Sequence, residues 1–189
     1  MMVELTGSTA ALPLDSRQKS LTIVKGLMLC RIIFLTLFLT ITILFQLSEK
    51  KYFFIPLTNE FYYFIGLFYL VTIFYALLLK KVRDIHRYAF VQLAIDHFFI
   101  GGLIYFTGGV ESSFPIAYII SIIGSSIFFY QRGTFFSASL SSFLYGLLLL
   151  LQFHRWIRPP GQLAGPYEAS QIFYSLILYT ATFYIVAFL

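Results

Sequence analysis

What most limits the folds open to this chain is the recurrence of apolar runs about as long as a bilayer core is thick. Some 30 Å of hydrocarbon is crossed by about 20 helical residues. Runs near that length occupy about 23–47, 60–79, 88–106, 113–130, 134–153 and 170–189. Each run is continuously apolar instead of alternating every second residue, which favours helices over barrel strands, because in hydrocarbon a backbone must satisfy its own polar groups. A composition of 59% hydrophobic, 20% aromatic and 11% charged residues excludes an ordinary soluble domain. The expected fold is an all-α integral membrane protein: a six-transmembrane-helix bundle over 23–189, after a cytoplasmic tail at 1–22. That tail carries Glu4 and Pro13 and lacks the basic start and short apolar core of a signal peptide.

Orientation follows from basic residues, which collect on the cytoplasmic side. An inside N-terminus puts Arg17, Lys19, Lys25, Arg31, Lys80, Lys81, Arg83, Arg87 and Arg132 in the cytoplasmic half and leaves Lys50, Lys51, Arg155 and Arg158 outside. The outer loops then hold Tyr52, Phe53, Phe54 and Trp156, aromatics suited to the headgroup region. The basic excess is a topology signal. No basic tract offers a nucleic-acid surface, and the lone Cys30 supports no disulfide framework.

Polar residues inside the spans carry the most information, since each needs a neighbour or water. Asp96 lies roughly 12 Å in from the cytoplasmic edge of the third span, at 1.5 Å per residue. Gln92 and Tyr88 precede it by one and two turns on the same face. An aspartate at a span centre costs about 2.5 to 3.5 kcal/mol on insertion scales, so this stripe should face the bundle. Arg31 sits at similar depth in the first span and is the candidate ion partner, either as a lock between two helices or as part of a rearranging element. His97 adjoins Asp96 but points about 100° away, as a separately satisfied core or cavity histidine.

Two small-residue stripes form a second pattern. Ala117, Ser121 and Ser125 recur every four positions in the fourth span, as do Ala138, Ser142 and Gly146 in the fifth. An antiparallel hairpin reversing at Gln131 and Arg132 would face 117 with 146, 121 with 142 and 125 with 138. Such stripes let backbones approach, and serines can then bond across the contact.

No catalytic constellation is present: His86, His97 and His154 are scattered, with neither metal-ligand spacing nor a nucleophile elbow or phosphate loop. Neither a metal site nor a catalytic residue is expected in this chain. The segment Thr107-Gly108-Gly109-Val110-Glu111-Ser112-Ser113-Phe114 reads from composition as a tight outer turn, in which glycines reverse the chain and polar groups meet water or headgroups.

Asp96 leads into that turn, with Thr107, Gly108, Gly109, Ser112 and Phe114, and is followed by a small-residue span, Arg132 with Gly133, and a second such span ending in Tyr145, Gly146 and leucines. From about Leu93 to Leu151 this series resembles the membrane input region of PilS-type sensor histidine kinases and, more distantly, of RegB-type redox kinases. Where the family pattern has proline before the phenylalanine, this chain has Ser113, with Pro115 after it. The resemblance implies a signal-input turn at Thr107, Gly108, Gly109, Glu111, Ser112 and Phe114, a bacterial inner-membrane location and a homodimer. It also implies a pilin-like membrane ligand, and a response regulator reached through a kinase portion that alone would use ATP and magnesium. Quinone sensing belongs to the RegB-type side; no cofactor is expected in this chain.

The expected function is therefore the membrane-embedded input domain of a two-component sensor histidine kinase, cut before its cytoplasmic kinase domains. The alternative is a small transporter or channel with Arg31, Gln92 and Asp96 as its polar site. The charge distribution makes the topology testable. In the full-length protein, reporters fused after Arg83 and Arg132 should read cytoplasmic, and those after Lys51, Glu111 and Gly161 external; an external reading at Arg132 would overturn the six-span arrangement.

Overall fold

The computed structural model describes residues 22, 24–26, 28–29, 31–37, 39–40, 59–79, 81–82, 84–159 and 168–189. The tail before residue 22, Cys30, Lys80, Arg83, Gly161 and the segment 41–58, with its expected outer aromatics, lie outside the described residues. Among the described residues every regular element is helical. Those between 22 and 40 form α1, followed by α2 (Asn59–Leu78), α3 (Ile85–Phe106), a 3-10 turn (Gly109–Glu111), α4 (Ile116–Phe153) and α5 (Ala169–Phe188). Four stretches of the described residues are long and apolar enough to cross a membrane: Phe61–Leu78, Arg87–Phe106, Phe129–Phe153 and Ala169–Phe188. Ile116–Ile127 is a shorter apolar helix.

Helix α3 starts before the apolar run does, because Asp84 caps it. The Asp84 backbone is extended and its carboxylate accepts from the Arg87 N–H at 3.3 Å, which satisfies one of the free donors of the first turn. The hydrophobic pattern alone cannot register that cap.

Helix α4 has 38 residues, and drawn straight it would run about 57 Å, nearly twice a bilayer core. It is not straight. Tyr130 leaves helical geometry at φ 53°, ψ −157°. The Tyr118 and Tyr145 rings both pack edge-on against Phe183, at 5.6 and 6.4 Å between centroids, although 27 helical residues would separate them by about 40 Å. Phe90 likewise touches both Phe129 and Phe136. The two arms, 116–129 and 131–153, are therefore antiparallel, and the expected hairpin exists with its reversal at Tyr130, one residue before the expected position. Gly133 permits this tightness: a Cβ there would lie 1.9 Å from the Phe129 Cβ.

Among the described residues the core has three clusters, one of which joins α1, α2 and α3 around Val24, Met28, Tyr75, Ile85 and Ala89. Between α4 and α5, Tyr118, Ile122, Ala138, Tyr145, Leu149 and Phe183 are buried together. The Gly146 backbone faces Leu176, and Ser139 bonds Tyr184 at 3.0 Å, so α5 runs antiparallel to the second arm and ends near the hairpin's tip. Between α2 and α3 the seam is aromatic: Phe68 stacks on Phe99 at 4.2 Å and 5°, and Phe64 meets Phe106 at 5.0 Å. Gly102 gives Phe64 its place, since a Cβ there would be 2.7 Å from the ring.

The small-residue expectation needs correction. Ser125 donates to the Ile122 carbonyl one turn back, and the half-buried Ser142 hydroxyl has no partner, so no serine bond joins 121 to 142. A buried serine beside a free carbonyl of its own helix satisfies itself locally more readily than across an interface. Ala138 is wholly buried in the core, whereas Ala117, Ser121 and Ser125 line a cavity facing α1 and α3, and Gly146 faces α5. Consequently Ala138→Leu should destabilise the fold by about 1–3 kcal/mol through overpacking. Ser121→Leu, with cavity space before it, should stay within about 0.5 kcal/mol of the parent. Unfolding in detergent measures both, and equal damage from the two would contradict this assignment of faces.

Candidate functional site

The site begins with one buried pair. Arg31 on α1 donates through Nη2 to Oδ2 of Asp96 on α3. The guanidinium also lies over two α2 rings, Phe68 at 5.6 Å and Tyr75 at 5.3 Å. A cation held against aromatic faces and a carboxylate ties three helices at one point. The Arg31 side chain is 7% exposed and that of Asp96 22%. The pair is not fully satisfied: Arg31 Nη1 and Asp96 Oδ1 are buried without hydrogen-bond partners. Tyr88 reinforces the α2–α3 contact by donating to the Tyr75 carbonyl at 2.6 Å. Thr36 donates to Ile32 O, so Tyr69 donates to Thr36 at 2.8 Å and joins α1 to α2.

A cavity of about 560 Å³ opens beside the pair, bounded by α1, α2, α3 and the first arm of α4. Arg31, Gln92 and Asp96 are on its wall, as the common face of Gln92 and Asp96 requires. Phe34, Phe64, Phe68 and Phe99 make most of the rest apolar. Ile120, Ile123 and Ile127, each more than half exposed, stand at its mouth.

His97 faces away from this cavity, into the core. It is fully buried, and Nδ1–H donates to the Leu93 carbonyl at 2.7 Å, so in the neutral ring Nε2 accepts from the Ser137 hydroxyl, also at 2.7 Å. The Tyr118 hydroxyl donates to the His97 carbonyl at 3.2 Å. One residue of α3 thus binds both arms of α4. Gly101, a turn later, lets Tyr118 in: a Cβ would be 3.0 Å from its hydroxyl.

The segment after α3 is a packed cap and not a solvated loop. Thr107, Gly108, Gly109, Ser112 and Pro115 are buried, while Glu111 and Ser113 are exposed. The Thr107 hydroxyl donates to Leu103 O at 2.7 Å, so the Ser112 hydroxyl donates to Thr107 at 2.6 Å and itself accepts from the Phe114 N–H at 3.2 Å. Gly108 and Gly109 have φ of 113° and 64°, open to glycine at little cost. Gly109 also lies against Gln152 of the second arm, where a Cβ would be 1.8 Å from Nε2. Both amide atoms of Gln152 are buried without partners. Phe114 packs against the core on both sides, and Pro115, the residue displaced from the family pattern, starts α4, where its missing N–H is harmless.

A model of the PilS-like transmembrane domain matches residues 14–189. The chain belongs to the PilS-like transmembrane domain family. Neither the curated proteins nor the solved structures yield a match. In this PilS-like chain the intramembrane aspartate, the glycine turn and the hairpin are parts of one assembly linked by His97, Tyr118 and Gln152.

Of the expected intramembrane residues, Arg31, Gln92 and Asp96 gather at the cavity, and His97 forms a separate node. The turn residues lie apart from that cavity, over Gln152. Sequence reasoning missed Ser137, Tyr118 and Gln152, although a glutamine so near the end of an apolar run was an available signal. Phe68 and Tyr75, the rings under Arg31, had none among so many aromatics. Among the described residues no group of three His, Cys, Asp or Glu could hold a metal.

Removing one partner of a buried pair leaves an unanswered charge, which costs about 3–5 kcal/mol. Arg31→Gln and Asp96→Asn should each destabilise the domain by an amount of that order, and the double variant by clearly less than their sum. A double-mutant cycle of detergent unfolding measures the coupling, and additive losses would mean that the contact contributes nothing.

Proposed function

We propose that this PilS-like domain is the signal-input region of a bacterial two-component sensor histidine kinase in the cytoplasmic membrane. Its N-terminus is cytoplasmic, and it works as a homodimer whose kinase portion phosphorylates a response regulator. The observation that carries the reading is the seating of Gly109 on Gln152, because it makes the outer turn part of the same packed unit as the second arm of α4. That arm lies against α5, and α5 returns to the end of the bundle that carries Arg87 and Arg132. The concentration of basic residues there agrees with a cytoplasmic end, from which a change of packing would reach a kinase.

A stimulus can act only by binding two packings with different affinity. The cap provides a place where two packings would differ, since the amide of Gln152 is held in apolar surroundings without a hydrogen bond. A membrane helix such as that of a pilin, bearing on the cap or on the faces beneath it, is the stimulus the family suggests. Neither arrangement calls for a cofactor in this chain.

In the full-length kinase, Gly109→Val collides with Gln152 and strains a positive φ, so it should fix output high or low several-fold from the parent and abolish the response to stimulus. Glu111→Gln, on the exposed side of the turn, should change it little. Reporter output at matched membrane levels decides the matter: a Gly109→Val protein that responds normally would reduce the cap to a connection.

A further inference from the structure

We infer that Arg155 and Arg158, on either side of Trp156, form a binding site for the phosphate of an anionic phospholipid headgroup at the membrane surface. The second arm of α4 ends at Phe153, where its membrane-crossing stretch also ends, so residues 154–158 lie at the level of the headgroups. Trp156 is 79% exposed, and His154, Arg155 and Arg158 are exposed with it. An indole suits that boundary, because its ring can meet hydrocarbon while its N–H meets water. The backbone beneath these side chains is fixed: the Tyr105 hydroxyl at the end of α3 donates to the Arg158 carbonyl at 3.1 Å, and Pro159 is buried.

Nothing within the fold uses the two charges. Of the last carbonyls of α4, those of Leu150, Leu151 and Gln152 accept from the His154, Trp156 and Arg155 N–H groups at 3.0, 3.0 and 2.9 Å, so the helix end needs no cation to satisfy it. Among the described residues neither guanidinium enters an ion pair, although Glu111 and Glu168 are exposed at the same end of the bundle. Arg155 stands at φ 58°, the left-handed position of the helix cap, where glycine is the usual residue because it has no Cβ to strain. A glycine would serve the turn better, so what arginine adds there is its charge. The planar guanidinium matches the oxygens of a phosphodiester. Two exposed arginines gain little from a soluble anion in water, whereas phosphodiesters are already concentrated at this level of a bilayer. In the N-inside orientation this is the outer end, where the bias of basic residues toward the cytoplasm gives no reason for arginines; the site itself needs only the end of a span and holds in either orientation.

The test uses the full-length protein in bilayers of phosphatidylcholine containing a rising fraction of phosphatidylglycerol brominated high in its chains. Bromine quenches a nearby indole, and Trp156 is the one tryptophan in these 189 residues. The difference between the parent and Trp156→Phe isolates its signal from any other tryptophan of the protein. Arg132, at the far end of the arm and roughly 35 Å away, does not contribute to it. An arginine near an anionic surface is worth about fivefold in binding, so phosphatidylglycerol should reach half-quenching at about a 25-fold lower fraction than phosphatidylcholine brominated in the same way. Arg158→Gln should cut that preference about fivefold. Arg155→Gly should do the same while unfolding in detergent shows no loss of stability, because glycine suits the positive φ. The double variant should show no preference. Equal quenching by the two lipids in the parent, or a preference that survives in the double variant, would overturn the proposal. So would its loss to inorganic phosphate or polyglutamate but not to sodium chloride of equal ionic strength, which would make this a site for a soluble anion. The measurement involves no kinase output, so it stands apart from the sensor reading.

Discussion

A charge in hydrocarbon has to be answered by something, and the pairing of Arg31 with Asp96 is the answer around which the first three helices are arranged. The carboxylate comes from α3, the guanidinium from α1, and the faces of Phe68 and Tyr75 from α2. None of the three helices could move far without exposing one of these groups to lipid. Two atoms of the pair remain buried without partners, beside a cavity of about 560 Å³ that the residues carrying them help to line. Their burial works against stability, since a buried donor or acceptor left unpaired costs roughly 1–3 kcal/mol, and more when charged.

The second half of the domain is organised by a different principle, in which polar groups are satisfied over very short distances. His97 uses both ring nitrogens and its own carbonyl. Thr107, Ser112 and the Phe114 N–H form a chain of bonds inside a single turn. Ser125, Ser126 and Ser141 of the hairpin return to their own helix. With most of these needs met nearby, the contact between α4 and α5 is mainly aromatic and aliphatic packing around Tyr118, Tyr145 and Phe183, with the Ser139–Tyr184 bond beside it. Gln152, like the Ser142 and Tyr145 hydroxyls, is left without a partner, and its position beneath Gly109 packs the cap against the second arm.

Much of this was legible before the structure, and the physical reasons differ from residue to residue. The spans could be read because burying backbone in lipid demands a length and composition that leave little choice. The meeting of Arg31 and Asp96 could be read because an ion at mid-depth has few partners available. The hairpin could be read from its small residues, but not how those residues were shared out. Ser121 and Ser125 are as small on a cavity wall as in a helix contact, and periodicity does not say which neighbour a face will meet.

The sequence by itself therefore determined the all-helical membrane class, the approximate spans and the identity of the costliest buried charges, because hydrocarbon imposes those demands on each segment separately. Only the tertiary structure decided that α4 reverses at Tyr130, that His97 joins α3 to both arms, that Gly109 rests on Gln152, and that a cavity stays open beside a half-satisfied ion pair. Those features depend on how whole helices approach one another, to within the width of a methyl group. Contacts between residues some 40 positions apart leave no periodic trace in the chain.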